Sequence, residues 1–239
     1  MKKRPFRQLL FFVFCCAPVL ACIILYVHRV DNTVNEEDEV FLTQVLNDNG
    51  AYPKTFKSFE EEVLYIQQVQ TAVIGFATGT DSIPYGQSRE PKDFVHAKTG
   101  WCYDKSRVIE KALRRAGFTT RHIGLYETNS GIPGKDLLTP GVRSHSLSEV
   151  KTSRGWMVVD SLEPWLSLNH QRQPISISGV QQSAENKDIQ WDPELEPLMN
   201  NIFKAPFTFV YGLYSRHGKF YPPYNPIPDV NYGELMANF

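Results

Sequence analysis

The chain has 239 residues, 42% of them hydrophobic, which is enough for one sizeable core and too little for two full domains once an apolar N-terminal segment is set aside. The formal net charge is −1 and no basic block lies beyond the N-terminus. A nucleic-acid partner, which needs a basic face, is therefore not expected. Residues 1–8 carry Lys2, Lys3, Arg4 and Arg7, and Leu9 to Val27 follow without a charge. A stretch of that length in a helix reaches roughly 28 Å, about the thickness of a hydrocarbon core. Asp31 and Glu36 to Glu39 follow it, so the positive-inside bias gives a cytoplasmic tail (1–8) and a single-pass anchor in the inner, cytoplasmic membrane (9–27). The rest is then periplasmic or otherwise extracytoplasmic. Two processed forms compete with the anchor. A cleaved signal peptide wants a shorter apolar run with a small-residue exit. A lipoprotein cut at "VLAC" (Val19–Cys22) would turn polar at once, whereas this run stays apolar to Val27.

Residues 28–57 read as an acidic stem or linker, and 58–239 as the folded domain. Ser58 and Glu61 form a capping-box pattern ahead of Phe59, Val63, Ile66, Val69 and Val73, which recur at helical spacing. Gly79 to Pro91 is a loop. Tyr103 to Gly117 reads as a second helix with Val108, Ala112 and Leu113 facing inward and Gly117 as its stop. Arg121–Thr128, "HSLSEV" from His145 and "GWMVVDSL" from Gly155 read as strands, the last two joined through "KTSR". A tail rich in Tyr, Phe and Pro, with His217 in a surface turn, is expected to pack over the core. Helices followed by a short antiparallel sheet make the class α+β.

Cys15, Cys16 and Cys22 lie inside the apolar run, which leaves Cys102 as the sole thiol of the exported part and no disulfide there. It stands at the mouth of the second helix, where unpaired N–H groups and the helix dipole favour an anion such as a thiolate. The same N–H groups suit an oxyanion on an attacked carbonyl. A thiol nucleophile needs a base and the base an orienting partner. His28 abuts the membrane. Among His96, His122, His145, His170 and His217, only His145 opens a strand whose hairpin partner ends in an acid, Asp160. With "KTSR" as a four-residue loop, Val150 faces Gly155 and His145 faces Asp160 directly. The register with a two-residue "RG" turn would put Asp160 opposite Glu149, out of reach of His145.

The motifs "GWC" (Gly100–Cys102), "RRAGFTTR" (Arg114–Arg121), "HSLSE" (His145–Glu149) and "WMVVD" (Trp156–Asp160), in that order over Thr99 to Pro164, resemble the transglutaminase-like superfamily of papain-fold cysteine enzymes. The resemblance implies a core in which the Cys-bearing helix packs on a short antiparallel sheet. It implies Cys102 as nucleophile, His145 as base and then acid, and Asp160 as the residue holding the imidazole tautomer. Two features depart from the family pattern. Leu147 stands where an aromatic is usual, and the tryptophan that classical members place upstream to hold the oxyanion has no counterpart except Trp101. Besides the Cys102 backbone, Gln87 and Trp101 are the expected oxyanion donors, with Tyr85 and His96 as further options. No metal, calcium loop or cofactor is implied, so hydrolysis or simple acyl transfer is favoured over protein cross-linking. The function expected is a membrane-anchored, extracytoplasmic thiol enzyme acting on a peptide, isopeptide or acylated glycan of the cell envelope. The alternative is a catalytically silent binding module, or an accessory protein of envelope or exopolysaccharide assembly.

Overall fold

The computed structural model describes residues 4–79, 81–84, 87–128, 135–136, 139, 141–214 and 229–239, with 4–15 described in backbone only. Helix α1 (Arg4–Val27) runs through Pro18, and Val19, Leu20, Ile23, Leu25, Tyr26 and Val27 are exposed on it. Among the described residues no helix is long and apolar enough to cross a membrane. The expected anchor from Leu9 begins on residues whose side chains lie outside that description.

Residues 28–57 are folded onto the domain instead of forming a linker. Val30 N–H donates to the Val230 carbonyl at 2.9 Å, and Val230 N–H to the His28 carbonyl at 2.8 Å. Helix α2 (Glu36–Leu46) starts with a capping box of Asn35 and Asp38 and buries Leu42 and Val45. Its four leading acids sit where the helix dipole favours negative charge, and one of them, Asp38, pairs with Lys111 at 2.6 Å. An acidic composition thus conceals an amphipathic helix.

Helix α3 (Phe59–Phe76) buries Phe59, Val63, Ile66, Val69 and Val73, as their spacing predicts. Only half of its expected capping box forms. Ser58 Oγ accepts the Glu61 N–H at 3.2 Å, while the Glu61 carboxylate accepts the Lys57 N–H at 2.8 Å. A short helix α4 (Pro91–Ala97), opened by its proline, follows the loop. Helix α5 (Cys102–Arg115) is the central element, buried at every position from Asp104 to Leu113. It ends at Gly117, whose φ of +91° favours glycine. There Phe118 N–H reaches the Leu113 carbonyl and Gly117 N–H that of Arg114, a Schellman closure.

The sheet is antiparallel, in the order β3-β2-β1-β4, with β1 (Thr119–Glu127), β2 (Ser144–Thr152), β3 (Gly155–Val159) and β4 (Phe207–Tyr211). Strand β4 comes from the aromatic tail, which therefore supplies an edge strand in addition to packing. Residues 215–228, His217 among them, lie outside the described residues. Helix α6 (Ile177–Asn186) follows β3 in the chain. A second small sheet joins β5 (Leu213–Tyr214) to β6 (Asp229–Val230), ahead of the terminal α7 (Tyr232–Leu235). The class is α+β, as expected.

The β2–β3 hairpin corrects the expected register. Thr152 pairs with Gly155 and Ser148 with Val159, so the turn is the two residues Ser153–Arg154 and not the four-residue "KTSR" loop. Glu62 of α3 accepts both the N–H and the hydroxyl of Ser153, at 2.9 and 2.8 Å, which ties the turn to the helix. The ladder is displaced by two residues from expectation. A shift of two preserves the face on which every side chain lies, whereas a shift of one would reverse it.

Candidate active site

The site is built where α5 begins. Trp101, the N-cap, has extended backbone and donates its N–H to Asp104 Oδ2 at 2.9 Å. Asp104 is fully buried and also accepts the Ile83 N–H at 3.3 Å and the Arg89 guanidinium. Burial pushes the Asp104 carboxyl above its ordinary range, against the opposing pull of Arg89 and the backbone donors. Arg89 in turn donates to the Ile83 carbonyl at 2.8 Å and lies over the Tyr103 ring at 4.4 Å. This clamp fixes the loop before α4 against the first turn of α5. At Gly100 a Cβ would meet Asp104 Cβ and Phe94 Cε2 at 2.9 Å each, so only glycine lets the chain enter the helix this closely. Cys102 is the first helical residue, half-buried, and its own N–H has no partner among the described residues.

His145 is the second residue of β2 and is buried. The last β2–β3 pair is Ser148 with Val159, so Asp160, one residue on, falls opposite Leu147, diagonal to His145 on the same face. Diagonal neighbours lie about 7–8 Å apart at Cα, within reach of two side chains of this length. Both Asp160 carboxylate oxygens stand 3.1 Å from His145 Nε2. Asp160 Oδ1 also accepts the N–H groups of Leu162 (2.7 Å) and Glu163 (3.1 Å), which aims the carboxylate back along the sheet. With Nε2 so occupied, Nδ1 is the ring nitrogen left to face Cys102, which lines the same cleft. The Phe203 ring meets the imidazole edge-on at 6.4 Å.

Burial alone would pull His145 down. The Asp160 charge and hydrogen bond, with a lesser contribution from the neighbouring Cys102, outweigh it and push its pKa up to about 10. Burial likewise opposes the charge on Asp160, but His145 and the two loop N–H groups hold that carboxyl below its ordinary value. Cys102 and His145 line one cleft of about 290 Å³ together with Trp101, Arg143, Ser144, Leu162, Asn200 and Ile202. Residues 54–161 of the chain match the transglutaminase-like superfamily. The chain carries a transglutaminase-like superfamily domain. Among curated proteins none matches it significantly.

The transglutaminase-like match begins inside the expected stem and ends one residue past Asp160. Of the residues singled out in the sequence, Cys102, His145 and Asp160 come together, and Trp101 lines the cleft with half its surface exposed. Gln87 is exposed on its loop and is not one of the cleft residues. His96 packs edge-on against Phe41 at 5.4 Å, and Tyr85 lies outside the described residues. One supporting residue of this transglutaminase-like domain had a sequence signal that went unread. Gln70 occupies a place in the apolar stripe of α3, four residues after Ile66 and three before Val73. It is buried, and its Nε2 lies within 2.8 Å of the Asp160 and Trp165 carbonyls and 3.1 Å of that of Glu163. It thereby holds the turn that presents Asp160.

The charged pair predicts a pH signature. His145 is raised from 6.5 to about 10, so its contribution to stability is complete below pH 6.5 and is lost as pH rises through 10. Asp160 is lowered from 3.8, so its contribution is present above that value and is lost on acidification. The stability gap between wild type and His145→Gln is therefore expected to be widest between about pH 4 and 6.5 and to shrink towards pH 10. Chemical denaturation at pH 6 and pH 10 measures it, and a gap that does not change with pH would show an uncharged pair.

Proposed function

We propose that the chain is a thiol enzyme that attacks an amide or ester carbonyl, with Cys102 as nucleophile, His145 as proton carrier and Asp160 as its orienting partner. The observation that carries this reading is the charged His145–Asp160 pair beside Cys102 in one cleft, at the start of a helix within a transglutaminase-like domain. In the proposed resting state His145 carries the proton and Cys102 Sγ attacks the carbonyl carbon as the thiolate. The carbonyl π pair moves onto oxygen, against the Cys102 N–H. Collapse of the adduct breaks the bond to the leaving nitrogen or oxygen, which takes the proton from His145, and leaves a thioester on Cys102. Water or an amine then attacks the thioester, His145 receives the proton of that nucleophile, and the acyl group departs with the thiolate restored.

The enzyme is proposed to be anchored by residues 9–27 with its domain outside the cytoplasm. The four N-terminal cations and the exposed apolar face from Val19 to Val27 support this. Its substrate is then an acyl donor of the envelope: a peptide, an isopeptide or an acylated glycan. Trp101 and Leu162, both exposed at the cleft, offer apolar surface to the group next to the scissile bond.

The test uses the full chain in its native membranes. Iodoacetamide carrying an alkyne should modify Cys102 at pH 6.5, as read by peptide mass spectrometry, and the modified chain should stay with the membrane after an alkaline wash. His145→Ala should slow the modification by about tenfold or more, within the range of a lost proton-transfer partner. A Cys102 that reacts no faster than a free thiol, with or without His145, would sink the proposed chemistry. Release of a shortened chain would sink the anchor.

A further inference from the structure

The attacked carbonyl needs a second hydrogen-bond donor, and the groups nearest in sequence are already committed. Trp101 spends its backbone N–H on Asp104, Gln70 spends its amide on three carbonyls, and Gln87 is exposed on a loop and is not among the cleft residues. Across the cleft stands Asn200, about a hundred residues downstream of the nucleophile, at the head of the 3₁₀ turn Asn201–Lys204. Its Oδ1 accepts the Ile202 N–H at 3.1 Å, which fixes the plane of the amide. With the oxygen so held, the Nδ2 donors are the free end of the group, and among the described residues they have no partner. The turn behind it is rigid. Ile202 and Phe203 are buried, and Phe203 packs at 4.8 Å on Trp165 as well as on the His145 ring. The seat of Asn200 is thus tied to the same side chains that position His145.

We infer that Asn200 is a further catalytic residue, whose Nδ2–H donates to the oxygen of the tetrahedral adduct opposite the Cys102 N–H. The assignment rests on the thiol-enzyme reading above. In the step concerned, Cys102 Sγ bonds to the carbonyl carbon and the C=O π pair becomes a lone pair on oxygen. The Asn200 N–H holds that charge without transferring its proton. When the adduct collapses, the pair returns to the C=O bond and the leaving group departs. The cleft is at the small end of the range for ligand sites, so groups on its facing walls reach a single acyl group.

The experiment compares two reagents on the full chain. Iodoacetamide needs only the thiolate, whereas p-nitrophenyl acetate passes through an oxyanion and releases nitrophenolate as Cys102 is acetylated. Asn200→Ser keeps a cap oxygen for Ile202 and removes the amide donors. It is expected to acetylate about 10²-fold more slowly, the loss typical of one oxyanion donor, with alkylation by iodoacetamide within about twofold of wild type. Asn200→Ala tests the same loss without the cap, and its thermal unfolding reports the structural part separately. Acetylation of Asn200→Ser at the wild-type rate overturns the assignment. So does an equal fall with both reagents, which would mean that Asn200 only shapes the pairing of Cys102 and His145. A wild-type chain that is alkylated but not acetylated overturns it while leaving the reactive thiol. A chain inert to both removes the thiol-enzyme reading, and this assignment with it.

Discussion

Asp160→Asn is expected to leave the fold intact and to slow turnover by about two orders of magnitude, less than the roughly 10⁴-fold loss from the equivalent change in a serine triad. The reason lies in what else Asp160 holds. Its Oδ1 accepts two backbone N–H groups of the following turn, so the asparagine oxygen must take that place to keep them satisfied. The amide NH₂ then stands where Oδ2 was, 3.1 Å from His145 Nε2, and offers a donor to a nitrogen that needs an acceptor. The shared contact to Oδ1 keeps some orientation, because both carboxylate oxygens lie equally far from Nε2. The charge is lost altogether, and burial, which pulls His145 down, is no longer opposed by a carboxylate. A cysteine depends less on such help than a serine does, hence the smaller factor. Asp160→Ala loses the turn cap as well and should fall further in both turnover and stability. The measurement is turnover of an acyl substrate captured on Cys102, against Cys102→Ala in the same preparation. Asp160→Asn turning over like wild type would reduce Asp160 to a cap for its own loop.

What the sequence made legible here follows how far each interaction reaches along the chain. The stripe from Phe59 to Val73 and the amphipathic run after Cys102 specify α3 and α5 through spacing alone, and the strand alternation places His145 and Asp160 on one face. The hairpin register did not follow from local pattern, because "KTSR" contains no residue that dictates a turn type. What selects the two-residue turn is Glu62, ninety-one residues earlier. Since side chains repeat every two residues, that error moved Asp160 from a direct to a diagonal neighbour of His145 and no further. Helix α2 was hidden for a different reason: acids crowd its first turn, and its apolar residues, Val40 to Leu42 with Val45 and Leu46, come only after them. Gln70 and Asn200 act through contacts that are long-range in sequence, to carbonyls about ninety residues away and into a cleft built from four segments. Gln70 shows only as a polar residue within an apolar stripe, and Asn200 carries no local signature of its task.

The largest loss of stability is expected from Arg121, the arginine that closes the second motif. It donates to Glu149 Oε2 from Nε at 3.1 Å and from Nη2 at 2.5 Å. Its guanidinium lies between two rings, 3.8 Å from the centre of Trp156 and 4.1 Å from that of Tyr211. Glu149 is fully buried, with Oε1 accepting the Ile177 N–H at 2.9 Å and Oε2 the Tyr211 hydroxyl at 3.2 Å. Four motif or tail residues thus meet in one ion pair that joins β1, β2, β3 and β4 and reaches the start of α6. Arg121→Met keeps the volume of the stem but strands a carboxylate in the interior, and is expected to cost about 3–5 kcal/mol. Adding Glu149→Gln removes the stranded charge while its amide oxygen still accepts from Ile177. The double variant should therefore be more stable than Arg121→Met alone by about 1–2 kcal/mol, a failure of additivity expected only of groups in direct contact. Chemical denaturation of the full chain reads all three energies. None of these residues lines the cleft, so below their unfolding midpoints the variants should keep the Cys102 alkylation rate of wild type. A loss below about 1 kcal/mol for Arg121→Met would mean that water reaches Glu149 and that the pair is a surface bridge in effect. The motif arginine would then need another explanation than the charge it neutralises.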